Sequence, residues 1–65
     1  MREKLKDILL IISWRQFSRR YFDRSASWMY HKLDGIEPFT EAEREKLRES
    51  LLNLSDTIRK TAENI

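Results

Sequence analysis

The sequence predicts an all-α fold: one domain spanning residues 1–65 with four helices, or five if the last one divides. Three observations lead there. Gly35 and Pro38 are the only glycine and the only proline, whereas a sheet needs turn residues every few positions. Apolar residues recur at steps of three and four rather than two. Serine and threonine stand just ahead of these periodic stretches, where their side-chain oxygens hold helix N-termini. So short a chain supports only a small core of its own. With no cysteine, neither disulfides nor a thiolate metal site can supplement it, which leaves tidy helix packing or oligomerisation.

A first helix is expected at about 2–12, where Leu5, Ile8, Leu9 and Ile12 share a face opposite Arg2, Glu3, Lys4, Lys6 and Asp7. Leu10 and Ile11 widen that stripe, as if neighbours enclosed its end. Ser13 followed by Gln16 is a capping-box pattern, so a second helix starts at Trp14 and runs to about residue 22. Trp14, Phe17 and Tyr21 line its inner face, with Arg15, Arg19 and Arg20 mostly opposite. Asp23 and Ser25 mark a short polar turn. A third helix, about 26–34, turns Ala26, Met29 and Leu33 inward, with Tyr30 at the edge; Ser25, Ser27, Trp28, His31 and Lys32 face outward unless Trp28 fills the core. Gly35 followed by Ile36 fits a left-handed helix ending.

Pro38 blocks helix, and Thr40 with Glu43 forms a second capping box, so the last helix begins at Glu41. Its apolar seam comprises Leu47, Leu51, Leu54, Ile58, Ala62 and Ile65. At about 1.5 Å per residue, a helix over 41–63 outreaches what three short helices can cover. Its distal part, Leu54, Ile58, Ala62 and Ile65, is therefore the expected dimer interface, symmetric association being the default. A break near Asn53-Leu54-Ser55-Asp56, whose polar residues are mediocre inside a helix, gives the five-helix alternative; the continuous helix is preferred.

The formal net charge is +2, but residues 1–35 carry +4 and residues 36–65 carry −2. Within 15–32, Arg15, Arg19, Arg20, Arg24 and Lys32 stand against a single acid, Asp23, the composition of a phosphate-binding surface. Catalysis is not indicated: His31 is the only histidine, and no glycine-rich phosphate loop is present. One histidine and scattered carboxylates do not make a metal site. The macrodipole suffices to explain Glu41 and Glu43 at a helix start. No cofactor and no small-molecule substrate are expected. The apolar run Ile8 to Ile12 is too short for a membrane span and no cleavage site follows it. A membrane-surface helix at 2–12 is disfavoured by its mixed polar face, and the expected setting is the cytoplasm.

The order of helix, tight turn and helix over 13–35 outlines a helix-turn-helix. Gln16-Phe17-Ser18, Tyr21, Ser25-Ala26-Ser27 and Leu33-Asp34-Gly35 resemble the helix-turn-helix of lambda-repressor and Cro-like proteins, and Phe39-Thr40-Glu41 looks like the next helix start of those domains. The chain is also similar to short phage- or mobile-element-type proteins of unknown function from gut bacteria. The resemblance covers 13–54. Phe22 stands where such motifs carry a turn glycine, and Ser18 replaces their common alanine. A small transcriptional regulator binding duplex DNA as a dimer is the implied function. Arg24, Ser25, Ser27, Trp28 and His31 would meet the groove, while Arg15, Arg19, Arg20 and Lys32 would hold phosphates. The alternative is a helical protein-interaction or self-assembly module that binds no DNA, since fold does not fix function.

Overall fold

The computed structural model describes all of residues 1–65. After a 3-10 helix at Arg2–Leu5 come three α-helices: α1 Trp14–Phe22, α2 Ala26–Leu33 and α3 Glu41–Glu63. The all-α class is as expected, but four or five helices are not formed. The segment expected as a helix over 2–12 is a single 3-10 turn followed by further turns. Most of its backbone amides bond three residues back, Lys4 to Met1, Ile8 to Leu5 and Ile11 to Ile8, and only that of Ile12 reaches four back, to Ile8. The causes are local. Met1 offers no side-chain cap, Ile8, Ile11 and Ile12 are β-branched, and so short a helix barely offsets its nucleation cost. The indole of Trp14 also takes the Leu9 carbonyl, at 2.8 Å. The expected apolar face still packs, with Leu5 buried and Ile8, Leu9 and Ile12 half-buried. The expected enclosure of Leu10 and Ile11 fails: they are 97% and 79% exposed.

The remaining boundaries follow from caps. Ser13 accepts the Gln16 amide at the start of α1, and Ser25 accepts the Trp28 amide at the start of α2. At α3 the Thr40–Glu43 capping box is complete in both directions, satisfying two amides that a helix start otherwise leaves unpaired. α2 ends as expected at Gly35, φ 77°: its amide bonds the Lys32 carbonyl and that of Ile36 the His31 carbonyl, the pair of bonds of a Schellman ending. Ile36 itself stays exposed.

Leu5, Trp14, Phe17, Phe22, Met29, Leu33 and Leu47 form one core, with Tyr21, Trp28, Phe39, Leu51 and Leu54 packed around it. The aromatic rings make a chain: Trp14 meets Phe17 edge-on at 5.2 Å, Phe17 meets Tyr21 and Phe22, Phe22 meets Trp28, and Trp28 meets Phe39. α3 is continuous through Asn53. That residue accepts the Tyr21 hydroxyl at 2.9 Å through its side chain and the Thr57 hydroxyl through its carbonyl. Of the polar residues that pointed to a break, Asn53 thus ties α3 to α1, and Asp56 pairs with Arg59 and Lys60 along α3 itself. Residues 58–65 are all exposed, so the end of α3 overhangs the core, and the whole molecule is elongated, 40 × 21 × 19 Å in extent.

Candidate nucleic-acid interface

The geometry of the turn between α1 and α2 comes from two residues. Asp23 takes the left-handed conformation, φ 53°, one position after the Phe22 at which the motif pattern calls for glycine. Aspartate tolerates that region better than most side chains, which leaves Phe22 free to point into the core. Ser18 is fully buried. Its carbonyl accepts the Asp23 and Arg24 amides, and its hydroxyl lies 3.1 Å from the carbonyls of both Arg24 and Ser25. An alanine could not make the hydroxyl bonds. Composition alone gives no sign of this role, because serine is ordinary at a helix surface.

α2 presents Ser27, Tyr30 and His31 to solvent, with Ser25 exposed at its cap, so this helix is not entombed. Trp28 is half-buried against Phe22 and Phe39, and the exposed Arg24 lies over its ring, 5.0 Å from the centroid. The indole therefore offers an edge rather than an outward face.

Lys32 corrects the expectation. It is buried, 6% exposed, and its ammonium donates to Glu43 Oε1 at 2.9 Å and to the Pro38 carbonyl at 3.2 Å. Glu37 lies 3.8 Å away and the Trp28 ring lies beneath. A desolvated ammonium needs such partners, and they remove Lys32 from any phosphate-binding surface. The same Glu43 oxygen accepts the Thr40 amide. That backbone bond, then Lys32, holds the Glu43 carboxyl below the usual value of 4.5.

The four arginines are exposed and make no ion pair within the chain. They do not form one patch. At about 100° per residue, Arg15 and Arg19 fall on the flank of α1 that carries Ser18 and Phe22, the residues touching the turn and α2. Arg20 falls on the opposite flank with Gln16. There it lines an apolar groove of about 300 Å³ with Ile11, Ile12, Tyr21, Leu54 and Ile58. The larger open cleft, about 980 Å³, lies between the N-terminal segment and α3; it sets Lys4, Arg44 and Arg48 against Glu41 and Glu45 and so selects neither sign of charge. Of the expected dimer residues, Leu54 is half-buried in its own chain, whereas Ile58, Ala62 and Ile65 are exposed.

Fold and surface together define a small all-α domain that presents one short helix beside an arginine-bearing one. Over residues 1–65 it matches the family described as Domain of unknown function (DUF5053), and the chain belongs to that family. No curated protein and no solved structure matches it. No helix is long and apolar enough to cross a membrane.

Proposed function

We propose that this chain is a non-enzymatic, duplex-DNA-binding module of helix-turn-helix type, a cytoplasmic regulator of the phage or mobile-element kind that acts by occupying a site. Ser25, Ser27, Tyr30 and His31 are the groove-facing set on α2, and Arg15, Arg19 and Arg24 are the phosphate-facing set; Lys32 has no part in it. One observation carries the reading: three arginines along the α1–turn–α2 edge are exposed and lack a carboxylate partner, beside a helix whose polar face is free. Unpaired guanidinium groups suit phosphate, which they grip in a planar fork. The resemblance to lambda-repressor and Cro-like domains supports the same assignment.

The test is fluorescence anisotropy on a mixed-sequence duplex at rising salt. Binding that weakens steeply with salt supports the proposal. A folded chain that binds no duplex at low salt overturns it. A second reading is favoured by the stacking of Arg24 on Trp28 beside Tyr30, since Trp, Tyr and Arg are the residues of protein-interface hot spots. On that reading the same surface docks a protein, and its affinity for duplex is nil.

A further inference from the structure

We infer that Lys46 of α3 is a further phosphate contact for duplex DNA, set near Arg24 so that the two cations hold the backbone at the turn between α1 and α2. The inference deepens the duplex reading and rests on it. Phe22 ends α1 and Trp28 stands on α2, and their rings meet across the turn at 5.3 Å. Phe22 is buried and Trp28 half-buried, so the ring pair is mostly covered. A cation stands over each ring: the Arg24 guanidinium 5.0 Å from the Trp28 centroid, and the Lys46 ammonium 5.4 Å from that of Phe22. Ring faces attract cations and steady side chains that solvent would leave free. Both charges are therefore placed before a ligand arrives, which lowers the ordering cost of binding.

The pairing pattern along α3 sets Lys46 apart. Arg48, Arg59 and Lys60 each pair with an acid on the helix, and Arg44 lies in the mixed cleft with Glu41 and Glu45. Lys46 is exposed and has no ion pair. Two acids lie at a spacing that permits one. Glu43, three residues before it, is taken by Lys32 and the Thr40 amide, and Glu49, three residues after it, is left unpaired. The ammonium lies over Phe22 instead, at the turn where Arg24 is also unpaired and Asp23, the one acid there, pairs with neither. Uncompensated like charges on one ring pair repel, and an anionic backbone laid across both relieves that repulsion. Duplex suits this better than an acidic protein, because it carries a negative charge about every 1.7 Å along its axis. It can thus serve Lys46, Arg24 and Arg19 at once, Arg19 being three residues before Phe22 on the same flank of α1.

The experiment is an anisotropy titration of a mixed-sequence duplex with the full chain over about 50 to 200 mM salt. Lys46→Met keeps the stem over Phe22 and removes the charge. It should weaken binding alike on unrelated sequences and flatten the log–log salt slope by about one, so that its deficit narrows about threefold across that range. Lys46→Arg should bind as the unaltered chain does, and Arg24→Met with Lys46→Met should flatten the slope by about two. Lys60→Met removes an exposed charge that is paired with Asp56 and should leave the slope unchanged; circular dichroism checks that each variant folds. An unchanged slope in Lys46→Met, with Arg19→Ala still flattening it, overturns this inference and leaves the duplex reading standing, as does an equal loss in Lys60→Met. A folded chain that binds no duplex overturns both. A chain that binds poly-glutamate as tightly as duplex assigns these cations to an acidic protein and overturns the inference as well.

Discussion

A hydroxyl shut away from water must donate somewhere, and at Ser18 it reaches the carbonyls of Arg24 and Ser25 on the far side of the turn. Ser18→Ala leaves those carbonyls short of a donor, so chemical denaturation should show a loss of about 1–3 kcal/mol, a larger effect than a serine-to-alanine change in a helix usually has. Asp23, at φ 53°, gives the converse. Asp23→Gly should be neutral or slightly stabilising, whereas Asp23→Val should cost about 1–2 kcal/mol because a β-branched side chain resists the left-handed region. Lys32 separates stability from binding. Lys32→Met breaks its bonds to Glu43 and Pro38 and should cost about 1–3 kcal/mol while leaving duplex affinity unchanged under folding conditions. A loss of affinity equal to that of Arg19→Ala would put Lys32 back among the phosphate contacts. The burial of Lys32 is not legible in sequence: at its helical position it reads as surface, and the acid that holds it lies eleven residues on, across a connector whose path only packing decides.

Among the elements, those with a cap were legible and the one without was not. Ser13, Ser25 and Thr40 each carry the oxygen that fixes a helix start, and the boundaries of α1, α2 and α3 follow them. The segment before Ser13 has a helical apolar period but no capping side chain and three isoleucines, and its packing is achieved with 3-10 and turn bonds instead. Periodicity reports which side chains face the core; it does not report which hydrogen bonds get them there. The start of α3 also sets a pH dependence. The Glu43 carboxyl is held below 4.5 when folded, by the Thr40 amide first and Lys32 second. A depressed carboxyl contributes stability above its unfolded value and loses it as pH falls through the folded one. Thermal melts should therefore lose stability below about pH 4.5, with part of that acid slope removed in Glu43→Gln; an unchanged slope in the variant would exclude Glu43 as a source.

For the whole molecule, the long axis of 40 Å against widths of 21 and 19 Å records a 23-residue helix on a body too small to cover it. That mismatch was legible, since helix length follows from residue count. The groove beside it was not, because it needs Ile11 and Ile12 from the turn region set against Leu54 and Ile58. The charge pattern divides in the same way: a basic stretch is visible in composition, but α1 sends Arg15 and Arg19 to the α2 side and Arg20 to the groove. The two surfaces are thus separable. Arg15→Ala and Arg19→Ala should weaken duplex binding in an anisotropy titration, while Arg20→Ala, on the opposite flank of α1, should change it little.

The central claim, that α1 and α2 present a duplex-binding edge, is tested most directly by the salt dependence of duplex affinity in the unaltered chain and in Arg19→Ala and Arg15→Ala. A log–log plot of affinity against salt should be linear and steep, and each substitution should flatten its slope by about one and weaken binding alike on unrelated sequences. A folded chain with no measurable affinity at low salt, or slopes identical in all three proteins, would contradict it.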